Sequence, residues 1–60
     1  MIVEVFIKGS NFKKLYDTFW NIKKIQRSGH HFILFREKDT GYEEDDVYLD
    51  TETYELRVRY

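Results

Sequence analysis

The chain has 60 residues, no cysteine, no proline and a net charge of −1. A domain of this length buries only about 60% of the surface its unfolded chain exposes. Without cysteine it has no disulfides and no cysteine-type zinc centre to offset that thin margin, so stability rests on a core that 18% aromatic content can fill. No apolar run approaches the ~20 residues of a membrane-spanning helix, and the opening MIVEVFIK, with an acid in its apolar run, does not read as a secretory signal. Residues 1–60 read as one compact domain, and the missing cysteines suit a reducing cytoplasm.

The near-neutral total conceals two opposed halves. Lys8 to Arg27 holds six bases against one acid, a local charge of +5, and Glu37 to Glu55 holds nine acids against one base, a local charge of −8.

In chain order, Ile2 to Lys8 alternates, with Val3, Val5 and Ile7 on one face and Ile2, Glu4, Phe6 and Lys8 on the other. Its β-branched and aromatic content predicts a strand, broken by Gly9 and Ser10. Phe12, Leu15, Tyr16 and Phe19 then recur at spacings of three and four, which predicts a helix. Ser10 or Asn11 would cap it. It would stop near Trp20 or Asn21, a residue suited to a left-handed backbone. Lys13, Lys14 and Asp17 would face solvent, with Trp20 at the border of the stripe.

Two arms flank Ser28-Gly29, a pair suited to a tight hairpin. Ile22 to Arg27 is weakly patterned: it reads as a strand, and the alternative is a helix that runs on through Ile22 to Ile25. His31 to Glu37 is apolar on both faces around Phe32, Ile33, Leu34 and Phe35, as a central strand should be. Asp39 to Gly41 reads as a turn. Val47 to Asp50 and Thr53 to Tyr60 read as two more strands joined by a tight TET connection. The fold expected is therefore α+β: a small two-layer domain in the order β-α-β-β-β, with Ile22 to Arg27 adding a further strand. Its sheet is mainly antiparallel, with one helix packed on one face. On the uncovered face Phe6, Ile33 or Phe35 and the tyrosines of the last hairpin would form an apolar patch.

The acidic run Glu43 to Asp46 is the sharpest feature. In an uninterrupted hairpin across Asp39 to Gly41, Phe35 would face Asp45 and Leu34 would face Asp46. Carboxylates against an apolar strand are costly. Pairing should therefore stop, and Tyr42 to Asp46 should leave as an acidic loop that restarts as a strand at Val47. Solvation of a sheet edge is the plain role of such a loop. The functional reading is a protein-binding site of Tyr42, Glu43, Glu44, Asp45 and Asp46 that meets a basic protein surface. A calcium loop fails on spacing, since Gly41 falls at the third position from Asp39 and Asp50 at the twelfth.

An alternative site, Lys13, Lys14, Trp20, Lys23, Lys24 and Arg27, has the chemistry to meet phosphate and stack a base, although nucleic-acid modules usually carry a clearly positive charge. His30 and His31 would point apart and set no metal site. No phosphate loop, nucleophile elbow or zinc-protease spacing is present. These features predict a non-enzymatic interaction module without cofactor or metal, of an accessory or regulatory kind. Nucleic-acid binding and homodimerisation through the C-terminal strand or the uncovered sheet face are the alternatives, and a membrane is not among the partners.

Overall fold

A computed structural model describes residues 1–9, 12–37 and 45–60. The proposed caps Ser10 and Asn11, the Asp39 to Gly41 turn, and Tyr42, Glu43 and Glu44 lie outside these described residues. The described chain is all strand: β1 Ile2–Ile7, β2 Lys14–Phe19, β3 Ile22–Ser28, β4 His31–Arg36, β5 Val47–Asp50 and β6 Tyr54–Arg59. They form two antiparallel three-stranded sheets, ordered β2-β1-β6 and β3-β4-β5.

The expected α+β fold is thereby overturned, because the segment assigned to its helix is β2. Phe12, Leu15, Tyr16 and Phe19 do carry a helical period. A helix of about ten residues is marginal in water, however, unless its apolar face is buried by packing. Tyr16, Thr18 and Phe19 are residues that favour strands, and pairing with β1 gives this backbone hydrogen-bond partners directly. The ladder runs Val3 opposite Phe19 to Ile7 opposite Lys14, with a bulge after Val5 that leaves Tyr16 extra. The would-be helical stripe is split: Phe12, Leu15 and Tyr16 end up at the surface, 78%, 49% and 51% exposed, and Phe19 alone packs against the core.

Asn21 does adopt the left-handed conformation expected of it, with φ 55°. It turns a strand corner rather than ending a helix. Ile22 N–H donates to the Met1 carbonyl at 3.0 Å, and Met1 N donates to the Ile22 carbonyl at 2.7 Å. The ribbon therefore leaves the first sheet at Ile22 and enters the second. There β3 and β4 form the expected hairpin, but its loop is Gly29-His30 rather than Ser28-Gly29: Ser28 still pairs with His31, and Gly29 takes φ 59°.

The other connection differs from expectation. Thr51 to Thr53 make a turn, but β5 pairs with β4 and β6 pairs with β1, so the last two strands do not form a hairpin. The turn is a corner between sheets. Lys8 N–H donates to the Thr53 carbonyl at 3.0 Å, and the Lys8 ammonium donates to the Thr51 carbonyl at 2.9 Å. Asp50 accepts from Glu52 N–H and from the Thr53 hydroxyl at 2.6 Å.

The core lies between the sheets. Val3 and Val5 come from the middle of the first sheet, and Ile22, Leu34 and Leu49 from the second. Phe19, Ile25, Phe32, Val47, Tyr54 and Leu56 pack around them. This accounts for the alternation of β1 and for β4 as a central strand. It also divides the single apolar patch expected on one far face. With Phe32 and Leu34 turned to the core, Ile33 and Phe35 lie on the outer side of the second sheet, whereas Phe6 lies outside the first.

Candidate functional site

The corner at Trp20-Asn21 gathers groups from three strands. Glu37 N–H donates to the Asn21 carbonyl at 2.8 Å, which fixes the end of β4 against the turn. The Arg36 guanidinium carbon lies 5.5 Å from the centre of the Phe19 ring, within cation–π range. Arg36 also receives the returning chain. Its backbone N–H donates to an Asp46 carboxylate oxygen at 3.2 Å, and its Nε donates to the Asp45 carbonyl at 3.1 Å. Trp20, between Phe19 and Asn21 in the chain, has 61% of its surface exposed.

The register explains how the acids avoid the apolar strand. The last ladder pair of β4 and β5 is Leu34 opposite Val47, one residue later than the hairpin that would have set Asp46 against Leu34. A carboxylate of Asp46 takes the Arg36 N–H just beyond it. The strand restarts at Val47, as the cost of facing carboxylates with Leu34 and Phe35 requires. Of the five residues in the acidic reading, Asp45 is exposed and Asp46 half-buried, and Tyr42, Glu43 and Glu44 fall outside the described residues.

The basic reading fares differently. Its six residues are strung along the β2–β3 ribbon rather than gathered. Lys13 is paired with Glu55 at 2.6 Å, and Lys14 opens β2 opposite Ile7. Lys23 sits in a bulge after Ile22, and the Lys24 ammonium lies 5.2 Å from the centre of the Phe35 ring. Arg27 is at the far end of β3, its Nε donating to the Gly29 carbonyl at 3.5 Å. β3 is an edge strand, and lysines on an edge discourage unwanted strand addition. Trp20, Lys23 and Lys24 share the corner, but Lys13, Lys14 and Arg27 are separated from it by most of a strand.

Two other surfaces carry distinct chemistry. Tyr16 and Tyr54 face each other with ring centres 5.0 Å apart and planes tilted by 51°. Partial burial, then the charge of the Tyr16 phenolate and its hydrogen bond, push the Tyr54 hydroxyl above the ordinary tyrosine range. On the outer side of the first sheet, Phe6, Lys13, Glu55, Leu56 and Arg57 line a depression of about 340 Å³. Among the described residues no group of three or more His, Asp or Glu side chains is placed to hold a metal, and no helix is long and apolar enough to cross a membrane.

The exposure of Phe12 and Leu15 was hidden by their helical spacing, and so was the edge position of β2. The only cue to it was the strand preference of the residues from Tyr16 to Phe19. Comparison with family models, curated proteins and solved structures gives no match.

Proposed function

We propose that this chain is a non-enzymatic module that binds a protein partner at the Trp20 corner, with the acidic segment beside it meeting a basic surface. The observation that carries this reading is the junction itself. The exposed Trp20 lies in the chain between Phe19, whose ring faces the Arg36 that holds Asp45 and Asp46, and Asn21, to which Glu37 is bonded. Tryptophan is the residue type most enriched at binding hot spots. Carboxylates around such an anchor steer a basic partner and set its orientation, raising the association rate more than the affinity. The left-handed Asn21 and the Glu37 bond fix the backbone under Trp20, so little order is lost on binding.

The scattered basic residues give less support to a nucleic-acid partner. The acids Glu37, Asp45 and Asp46 at the corner oppose Lys23 and Lys24 there.

The test is affinity capture by the full chain from nuclease-treated and untreated native lysates, with captured proteins identified by mass spectrometry. Two variants accompany it: Trp20→Ala, and a triple change of Glu43, Glu44 and Asp45 to Ser. Asp46 is kept because it bonds the Arg36 backbone. The expected result is a specific protein that survives nuclease treatment and is lost with either variant. Capture that disappears with nuclease, or that both variants retain, refutes the reading.

A further inference from the structure

The two sheets leave four strand edges, and three of them carry features that resist strand addition. On the β2 edge, Tyr16 forms a bulge and the Asp17 carboxylate accepts the Thr18 N–H at 2.7 Å. The β3 edge has a bulge after Ile22 and carries Lys23, Lys24 and Arg27, so a copy laid against it would meet like charge. β5 is only four residues long. β6 differs from all three. It has six residues, its pairing with β1 runs without a register shift from Ile2 opposite Arg59 to Ile7 opposite Tyr54, and it alternates apolar and charged side chains.

The hydrogen-bond phase of β6 follows from the ladder. Lys8 N–H donates to the carbonyl of its facing residue Thr53. In an antiparallel pair the bonded positions alternate, so Glu55, Arg57 and Arg59 turn their main-chain groups toward β1. Tyr54, Leu56 and Val58 turn theirs outward, to an edge that no described strand occupies.

We propose that this edge is a self-association site: Tyr54–Arg59 pairs antiparallel with the same strand of a second copy about a two-fold axis at Leu56. The occupant is set by complementarity of phase and charge. With Leu56 opposite Leu56 of the copy, all outward-facing main-chain groups meet as bonded pairs, and Tyr54 lies opposite Val58. Glu55 then lies opposite Arg57 of the copy, and Arg57 opposite Glu55, at the closer non-bonded positions on the outer face of the sheet. The neighbouring registers allowed by the same phase are worse. Sliding two-fold pairing one way sets Glu55 against Glu55, and sliding it the other way sets Arg57 against Arg57. Glu55 already has Lys13 on the β1 side at 2.6 Å. The guanidinium of the copy reaches it from the open side, over the depression lined by Phe6, Glu55 and Arg57. The result is one continuous six-stranded sheet with a closed, isologous contact.

The test is sedimentation equilibrium of the full chain over a concentration series, beside Glu55→Arg and Arg57→Glu, each checked for folding by circular dichroism. The wild type should form a dimer. Each variant alone places like charges opposite one another in both pairs, and should weaken dimerisation about tenfold or more. In a one-to-one mixture of the two variants, the introduced arginine meets the introduced glutamate, and the native Arg57 of one chain meets the native Glu55 of the other. The mixture should recover a heterodimer by native mass spectrometry. A synthetic chain N-methylated at Leu56 keeps every side chain and the β1 pairing, and should be monomeric. The proposal is overturned by a wild type that stays monomeric at high micromolar concentration, by a mixture of folded variants that does not recover association, or by an N-methylated chain that dimerises as the wild type does.

Discussion

Truncating two leucines separates the all-strand fold from one with a packed helix. Leu34 is fully buried at the centre of the core, and Leu15 is 49% exposed on β2. Leu34→Ala removes three carbons and leaves a cavity walled by Val3, Val5, Ile22 and Leu49, at a cost of about 2–5 kcal/mol. Leu15 gains only about half of the ~1.5–3 kcal/mol of a fully buried leucine and leaves no closed cavity, so Leu15→Ala should cost about 1 kcal/mol or less. A core in a chain this small rarely supplies more than about 3–5 kcal/mol. Leu34→Ala should therefore remove most of the stability, and Leu34→Val, losing one methylene, gives a smaller step of about 1 kcal/mol. Urea unfolding followed by far-UV circular dichroism and by Trp20 fluorescence measures all three. If Leu15 were part of a helical stripe packed on the sheet, its truncation would cost as much as that of Leu34. Equal losses at the two sites, or a helical far-UV spectrum, would refute the reasoning.

Three further outcomes follow from local geometry. A Cβ at Gly9 would collide with the Phe12 carbonyl oxygen, so Gly9→Ala should destabilise by about 1–3 kcal/mol in the same denaturation assay. Asn21→Ala places an ordinary side chain at φ 55° and should cost about 1 kcal/mol, whereas Asn21→Gly should be neutral or slightly stabilising. The Thr53 hydroxyl, and next the Glu52 N–H, hold the Asp50 carboxyl below the ordinary aspartate range. A folded-state value below the unfolded one means a stabilising contribution that is full above the ordinary range and lost as pH falls through the depressed value. Wild type and Asp50→Asn should therefore differ in unfolding free energy at neutral pH and converge in acid. A gap that stays constant down to low pH would show that Asp50 acts without its charge.

Several elements were legible in the sequence because their signal is local. The alternation of β1 and β6, the doubly apolar β4, the short β5 and the Gly29 hairpin each depend on side-chain period or on a backbone only glycine adopts readily. The end of pairing before Val47 was legible too, since a carboxylate against Leu34 is costly wherever the chain goes. The corner of the candidate site was only half visible. Trp20 read as a border residue, and the acids read as a loop. That the backbone next to Trp20 and the residues Asp45 and Asp46 both come to the end of β4 depends on the Glu37–Asn21 bond and on the contacts of Arg36, which join segments distant in sequence.

The order of residues is enough to say where apolar and charged side chains fall, where the chain turns, and that the stability of a 60-residue stretch without cysteine must come from packing. Tertiary structure decided what Phe12 to Phe19 becomes and which strands are neighbours. A short stretch can satisfy a helical and an extended period at once, and neither is stable alone. The choice is settled by which backbone partners and which burial the rest of the chain offers. Here β1 offers an edge on each side: β2 takes one and β6, carried across the Lys8-tied corner, takes the other. That assignment leaves the outward phase of β6 facing solvent, a property that no residue of the strand reveals on its own.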